Sequence, residues 1–276
     1  GWTKGCFYAS PAACKALMAR VYLYMGNYAD AKKYASEVIS DYGLSLTPRA
    51  DYVAMFCGRK EGQEAIFRLN GLSGGAKLRS MFDYTSPQMY PSGKLLDIFA
   101  SDADAWTGSD VRSELLSYKA ADGTEYSGIC MKFIDTEDID ETQKRYDPFV
   151  LRLSEMYLIR AEAACHDGDT DTAVSDIAAL EARARGVQTS DINVTFSSID
   201  DLAGIVQRER IKELFLEGHR LFDLTRRHET LTRDVACGSS VLTLTYPDDR
   251  FVLPIPLVEL DANKEMQPNP VNSTQR

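Results

Sequence analysis

Apolar positions recur at helical spacing in two separate regions of this 276-residue chain. In the first region two apolar stripes predict two helices, and Gly26 with Asn27 breaks the chain between them. The arrangement returns 142 positions later, where Ala161 takes the place of Ala19 and Gly168 that of Gly26. The other equivalent pairs are Tyr22 and Ala164, Ala31 and Ala173, Ala35 and Ile177, and Val38 and Leu180. Small residues around a glycine turn are typical of tetratricopeptide hairpins, which bury their faces by stacking.

Between these hairpins, from about residue 47 to residue 145, the pattern changes to Gly, Ser, Asp and aromatic residues. We expect a loop-rich insertion with an extended run at 64–69, a serine-capped helix at 92–100 and a second extended run at 128–133. The step from Asp110 to Arg112 predicts a structural ion pair. Insertions of this kind on a rigid scaffold often carry binding residues.

Charged residues are dense in the segment from Arg208 to Arg227. Read as one helix, the segment places opposite charges three or four positions apart, where they are neighbours on one face. Leu214 and Phe215 would help to bury part of that face. Because buried charges are costly unless they are paired, we predict a structural clasp rather than a catalytic site. Its predicted members are Glu209, Arg210, Glu213, Glu217 and Arg220.

This charged segment resembles a motif of the SusD/RagB family, the glycan-binding lipoproteins on the outer surface of Bacteroidetes-type bacteria. The stretches 16–46, 146–168 and 250–270 resemble further family motifs, in the expected order. The chain departs from the pattern at 179–185, which lacks the usual Asn, and at Gln267–Pro270, which has an extra proline. The resemblance implies a mainly α fold: a tetratricopeptide-like helix-hairpin scaffold with an irregular loop-rich insertion and short strands.

The resemblance also implies how the chain is organised. We expect a single region with a helix hairpin at about 11–46, the insertion at about 47–145, a second hairpin with C-terminal helices at about 146–235, and an extended tail at about 236–276. Members of the family are usually longer and begin with a lipoprotein signal and a further helical region. We therefore expect Gly1 to be the start of a fragment or of a shortened member.

Charge and cysteine content narrow the possible partners and the covalent structure. A net charge of −10 disfavours nucleic acid and a basic membrane-surface helix, because both need Lys/Arg-rich surfaces. The six cysteines contain no C-x-x-C, and their even number permits disulfides in an exported protein. Cys165 lies in the apolar pattern of a helix and Cys14 near another helix, where a free thiol behaves as a small hydrophobic group. We expect buried free thiols.

Motifs for metal binding and catalysis are weak. Asp167-Gly168-Asp169 begins like a calcium loop, but Thr172 and Ala178 occupy the places of its glycine and glutamate, so we expect a capping turn. The three histidines lack metal-ligand spacing. Close carboxylates arise freely in a chain with 41 acidic residues, as in Asp102 with Asp104 and in Asp135 with Glu137 and Asp138. We predict no metal, no cofactor and no catalytic residue.

Aromatic residues of the insertion carry the binding hypothesis. Sugar rings stack their apolar C–H faces on Trp and Tyr, which provide a large contact area at a small entropic cost. Trp106 lies in a polar loop that offers no local core for an indole. The predicted ligand contacts are Trp106, Tyr84, Tyr90, Tyr118 and Tyr126. The alternative is that these rings pack the insertion against the helices.

The family resemblance implies a non-catalytic protein of the outer membrane that captures oligosaccharide or polysaccharide at the cell surface. It also implies that this surface lipoprotein passes its ligand to a TonB-dependent transporter of the SusC type. Two other classes stay open: a tetratricopeptide-type protein-interaction module without a sugar site, and a glycoside hydrolase, which needs two carboxylates around a sugar cleft. A coplanar aromatic arc would favour glycan binding, whereas aromatics buried between helices would favour the interaction module.

Overall fold

The computed structural model describes residues 6–57, 62–69, 80–102, 106–134 and 147–270, and the chain divides into two compact units, Gly1–Glu217 and Gly218–Arg276. The helices of the first unit are α1 (Pro11–Tyr24), α2 (Tyr28–Asp41), α3 (Arg49–Cys57), α4 (Gly93–Ser101), α5 (Leu153–Asp167), α6 (Thr170–Arg185) and α7 (Ile199–Leu214). Its strands are β1 (Ala65–Arg68), β2 (Ser117–Lys119), β3 (Glu125–Ser127) and β4 (Phe149–Arg152). Short 3₁₀ helices span Val111–Leu116 and Thr189–Asp191.

The second unit is small and mostly irregular. It contains α8 (Arg220–Arg226), α9 (Leu257–Ala262), the two-residue strands β5 (Leu231–Thr232) and β6 (Thr243–Leu244), and 3₁₀ helices at Val235–Cys237 and Asp249–Phe251. The two strands pair antiparallel. Leu224, Leu244 and Phe251 form its buried apolar cluster. The predicted extended tail at 236–276 thus includes short helical elements within its described residues.

The two predicted helix hairpins are present as α1–α2 and α5–α6, and the mainly α fold is confirmed. Their turns use Gly26 and Gly168, at φ of 72° and 76°, which are left-handed conformations that glycine adopts without a Cβ clash. Asn27 and Asp169 then cap the second helix of each hairpin by accepting a backbone hydrogen bond. The predicted capping turn at Asp169 is therefore confirmed. Helix α5 contacts α2, α6 and α7, and so lies at the centre of the helical scaffold.

The equivalent small residues of both hairpins are buried where the helices cross. Ala19 and Ala31 in one hairpin, and Ala161 and Ala173 in the other, have no exposed surface. All six cysteines are free thiols, and the predicted burial is found for Cys57, Cys130 and Cys165 but not for the half-buried Cys6 or the exposed Cys237. The expectation for Cys14 is wrong, because α1 turns this side chain to the face opposite its buried alanines.

The insertion has more regular structure than its composition predicts. Helix α3 was not predicted, although its buried Tyr52, Met55 and Phe56 follow a helical period. The extended run at 64–69 is confirmed as β1, which pairs antiparallel with β4, and the serine-capped helix is confirmed as α4. Residues 128–133 do not form a strand, although the N–H groups of Ile129 and Met131 donate to the carbonyls of Leu116 and Leu115.

The charged segment from Arg208 to Arg227 is not one helix, so this prediction is wrong. Helix α7 ends at Leu214, and the chain turns through Leu216 and Gly218, at φ of 60° and 87°, before α8 begins. The turn places the Glu217 carboxylate where it binds buried cations of the first unit. Residues 208–214 and 220–226 therefore belong to separate elements.

Candidate functional site

Three of the predicted ligand residues form one tyrosine cluster. Strands β2 and β3 form an antiparallel hairpin in which Tyr118 and Tyr126 are register partners. Both rings are half-buried on the inner face, whereas their strand neighbours are exposed. The Tyr84 ring lies over this pair, with ring centroids 4.8 Å from Tyr118 and 5.0 Å from Tyr126. The cluster therefore joins the hairpin to the loop that carries Tyr84.

Backbone hydrogen bonds close the loop that carries Tyr84, and Tyr90 follows this loop in the chain. The N–H groups of Gln88 and Met89 both donate to the carbonyl of Met81. Tyr90 lies two residues before Ser92, which caps α4, and 62% of Tyr90 is exposed. Among the five predicted contacts, Tyr90 thus presents the largest fraction of its surface to a ligand. Tyr84 belongs instead to the packed base of the loop.

Trp106 is docked on the helical scaffold. Its indole N–H donates to the carbonyl of Asn193 at 3.0 Å, and the ring packs against the apolar cluster of α5, α6 and α7. The Arg185 guanidinium lies 5.2 Å from the ring centre and the Lys212 ammonium 5.5 Å. Trp106 remains half-buried. Its indole nitrogen already has a protein partner, so only the exposed part of the ring is open to a sugar.

The buried charge network is centred on Arg112, which is fully buried. Its guanidinium donates to Asp110 at 2.6 Å, to Glu181 at 2.9 Å, to Glu213 at 3.1 Å and to Glu209. The predicted Asp110–Arg112 ion pair is thereby confirmed. These carboxylates come from the start of a 3₁₀ helix, from α6 and from α7. Arg112 therefore ties the insertion to two helices of the scaffold.

A second buried cation, Arg152 at the end of β4, extends the network. Arg152 binds Glu64 at 2.8 Å, Glu217 at 2.8 Å, and Glu213. Lys132 binds Glu217 at 2.7 Å, and its ammonium lies 3.8 Å from the centre of the Phe215 ring. Such contacts offset the desolvation of buried ions, which is otherwise costly.

The network shifts the pKa values of its carboxyl groups in opposite directions. Burial alone would raise the pKa of Glu217, but Arg152 and Lys132 outweigh it and hold that pKa at about 2. Burial likewise opposes the ionisation of Glu213, and three arginines hold its pKa well below the usual value. At Glu209 burial prevails, with a further contribution from Glu181, and the pKa rises to about 8.

The predicted clasp residues differ in their surroundings. Glu209 and Glu213 are buried in the network of the first unit, where Glu217 is half-buried, and Arg210 is buried on the same helix as Glu209. Arg220 lies on α8 in the second unit, where its nearest ion-pair partner is Glu229 at 3.7 Å. The acidic members pair mainly with distant cations, so the i,i+4 interpretation of the segment missed their partners.

Sequence reasoning missed most of the cations that hold these carboxylates. Lys132 lies in the run Ile129-Cys130-Met131-Lys132-Phe133, and Arg152 in the run Phe149-Val150-Leu151-Arg152-Leu153. A single charge inside an apolar run signals a buried and paired ion, and this signal was present. The other missed members are Glu64, Glu181, Arg183, Arg185 and Lys212.

Other chemical features are limited in the part of the chain that the structure describes. There, no cluster of three or more His, Cys, Asp or Glu side chains is arranged to hold a metal ion. Within the same residues, no helix has the length and apolar character needed to cross a membrane. Asp102 is buried and paired with Lys212 at 2.8 Å, while Asp104 and the 135–138 carboxylates lie outside the described residues.

A shallow depression of about 350 Å³ lies between the two hairpins. It is lined by Lys32, Ser36, Arg160, Asp171, Thr172 and Ser175. Lys32 is paired with Asp169 at 2.9 Å and Arg160 with Asp176 at 2.6 Å. Its cations are therefore already neutralised, and the predicted aromatic contacts do not line it.

A sequence profile of the SusD family matches residues 103–271, more than half of the chain, and the chain belongs to this family. Its fold is similar to that of a SusD superfamily protein from Bacteroides thetaiotaomicron, with a TM-score of 0.78 and 26% identity over 96% of this chain and 61% of that one. A search of curated proteins finds no significant match.

Two structures from Bacteroides vulgatus are also similar. One is a SusD superfamily protein with 30% identity and a TM-score of 0.73, matched over 94% of this chain and 59% of that one. The other is named as a candidate sugar-binding protein and has 26% identity and a TM-score of 0.75, over 94% of this chain and 58% of that one. The chain thus spans about three fifths of the length of these relatives.

Proposed function

We propose that this chain is the non-catalytic glycan-binding part of a cell-surface nutrient uptake system. Membership of the SusD family and similarity to a protein named for sugar binding support this proposal. The observation that carries it is the exposure of Tyr90, which follows the closed loop that carries Tyr84. An exposed tyrosine on a loop held by a rigid scaffold offers a ring face to the apolar face of a sugar.

The proposed contact surface includes the exposed Tyr90 together with Tyr84, Tyr118 and Tyr126 of the tyrosine cluster. The rings of Tyr84 and Tyr118 are inclined by 54°, and those of Tyr84 and Tyr126 by 67°. Rings at these angles do not form a flat platform, so we infer that the three half-buried tyrosines support the loop. Trp106 is a further proposed contact, through the exposed part of its ring.

The finer parts of the proposal follow from the family. We infer that the ligand is an oligosaccharide or polysaccharide and that the protein delivers it to a SusC-like TonB-dependent transporter. We also infer that the protein is a lipoprotein on the outer face of the outer membrane. The acidic chain disfavours nucleic acid as a partner, because phosphate backbones bind Lys/Arg-rich surfaces.

The test of this proposal is the substitution Tyr90→Ala, measured by isothermal titration against a glycan identified on a glycan array. We expect the affinity to fall by roughly 1–3 kcal/mol, on the scale observed for bases stacked on aromatic side chains. Thermal stability should change little, because an exposed ring supports few packing contacts. Tyr8→Ala is the matched control, since Tyr8 is 72% exposed but precedes α1 rather than α4.

Different outcomes of this experiment would reject Tyr90 as the contact residue and glycan binding as the function. Equal affinity losses in Tyr90→Ala and Tyr8→Ala would reject Tyr90 as the contact. Binding to no member of the array by the folded protein would reject glycan capture for this chain.

One observation favours the second candidate, a protein-interaction module. An uncharged stripe is exposed on α1 at Cys14, Leu17 and Val21, which are at i, i+3 and i+7, and it continues to Met25, the residue that caps the helix. Exposed apolar stripes of this kind commonly mark protein contacts. This candidate predicts that the chain does not bind glycan and instead binds a protein partner, such as the transporter. The substitution Val21→Glu should weaken the binding of that partner.

A further inference from the structure

Two buried carboxylates, Glu181 on α6 and Glu209 on α7, are held by the same two cations. Arg112 donates to Glu181 at 2.9 Å through one terminal nitrogen and to Glu209 through the other. The Lys212 ammonium binds Glu181 through Oε1 and Glu209 through Oε2, the latter at 3.1 Å. Both carboxylates are almost completely buried. Two like charges this close in a dry site do not readily ionise together.

The surrounding charges do not neutralise both groups. The end of α4 contributes Asp102, and the 3₁₀ segment contributes Asp110 and Arg112. Helices α6 and α7 contribute Arg185, Lys212 and Glu213 in addition to the pair itself, and the exposed Arg208 binds Asp102 at 3.4 Å. Glu213 is also bound by Arg152 and Arg183. Of the other groups, four carboxylates (Asp102, Asp110, Glu181 and Glu209) face three buried cations (Arg112, Arg185 and Lys212). A single proton would remove the excess negative charge.

We propose that Glu209 and Glu181 share one proton at neutral pH, and that losing it in alkaline solution loosens the attachment of residues 110–116 to α6 and α7. The protonated Glu209 then donates its O–H to the ionised Glu181, and both retain their contacts with Arg112 and Lys212. The pKa directions agree: burial and Glu181 raise the pKa of Glu209 to about 8, while the neighbouring cations hold the pKa of Glu181 well below its usual value against the effect of burial.

The pH dependence has a definite sign. The folded protein holds the Glu209 proton more tightly than the unfolded chain, so this contribution to stability is fully present below the unfolded pKa near 4.5. It is lost as the pH rises through about 8. Above that pH both carboxylates are charged, and their repulsion opposes the contacts that Arg112 makes with α6 and α7. Residues 110–116 lead directly into β2, so the loosening would reach the tyrosine hairpin.

The test is infrared spectroscopy of the intact chain. At about pH 6 we expect the carbonyl band of an un-ionised buried carboxylic acid, which disappears near pH 10. Glu209→Gln keeps the shape of the side chain and should abolish the band. Glu217→Gln is the matched control, because Glu217 belongs to the same network but has a pKa of about 2 and should already be ionised. Its band should remain.

A proton count gives a second readout. In weakly buffered solution at about pH 6, wild type should release close to one more proton on unfolding than Glu209→Gln does. The melting temperature of wild type should fall between about pH 6 and pH 9, with a smaller fall in Glu209→Gln. Absence of the band in wild type at about pH 6 overturns the proposal without any variant. An unchanged band in Glu209→Gln assigns the proton elsewhere and also overturns it.

Discussion

At the scale of single residues, Arg112 shows how this fold accommodates buried charge. A guanidinium presents five donors in a fixed planar fork, and here that fork donates to carboxylates from three parts of the chain. Its loss would leave Asp110, Glu181, Glu209 and Glu213 without the cation they share. Arg112 is therefore the residue on which the connection between insertion and scaffold most depends.

We predict that Arg112→Leu lowers the free energy of unfolding by about 3–5 kcal/mol, because removing one partner leaves buried charges uncompensated. Urea denaturation measures this change. Arg112→Lys should recover only part of the loss, since an ammonium cannot reproduce the fork. If Arg112→Leu lies within about 1 kcal/mol of wild type, the network does not stabilise the fold.

For Trp106, the local sequence gives a misleading prediction of how much the side chain contributes to stability. A polar loop predicts a free indole, whose removal would weaken ligand binding and leave stability unchanged. The contacts with Asn193 and Arg185 instead favour a loss of stability. They were not predictable, because Asn193 and Arg185 are distant in sequence. The ligand role of Trp106 stays a prediction.

The substitution Trp106→Phe separates the two roles. It retains much of the ring area but removes the hydrogen bond to Asn193, which typically contributes about 1 kcal/mol. We expect a small decrease in thermal stability with glycan affinity nearly unchanged, because a phenyl ring still presents an apolar face. In Trp106→Ala, both stability and affinity should fall. An affinity that survives Trp106→Ala in the folded protein would remove Trp106 from the proposed site.

At the scale of elements, the sequence predicted the helices and turns that are determined by interactions between residues close together in the chain. The hairpins α1–α2 and α5–α6 are encoded by helical periodicity, a glycine turn and a capping Asn27 or Asp169, all within one short stretch. The break after Leu214 is different. After it, Glu217 pairs with Arg152 and Lys132, which are far away in sequence. Helical spacing alone therefore extended α7 too far.

Helix α4 allows a test of local encoding beside the proposed site. Ser92 accepts a backbone hydrogen bond from Leu95 and caps the helix, two residues after Tyr90. We expect Ser92→Ala to destabilise the protein by about 1 kcal/mol in urea denaturation. Ser101→Ala at the other end of α4 is the control and should stay within about 0.5 kcal/mol of wild type. Equal effects would mean that the cap contributes nothing specific.

At the scale of the whole molecule, a helical scaffold supports an insertion, and a buried ionic network joins the two. The scaffold was predictable because repeated hairpins leave a repeated pattern in the sequence. The network was not, because its pairs join residues up to about 100 positions apart, as in Arg112 with Glu209 and Glu213. The tyrosine cluster was partly predictable. Its residues were picked out by composition, but the packing of Tyr118 and Tyr126 depends on the pairing of β2 with β3.

The ionic network resembles a catalytic site in one respect, and this resemblance tests the non-catalytic proposal. A carboxyl group with a raised pKa beside an ionised carboxylate is the arrangement that glycosidases use for acid catalysis. Glu209 and Glu181 have these properties, but both are buried against Arg112 and Lys212, where a sugar has no access. We therefore predict that the folded protein releases no reducing ends from a glycan that it binds, above the level of a boiled control. Reducing ends released by wild type above that level, but not by Glu209→Gln, would identify an enzyme. This conclusion requires that the variant still binds the glycan and melts as a folded protein.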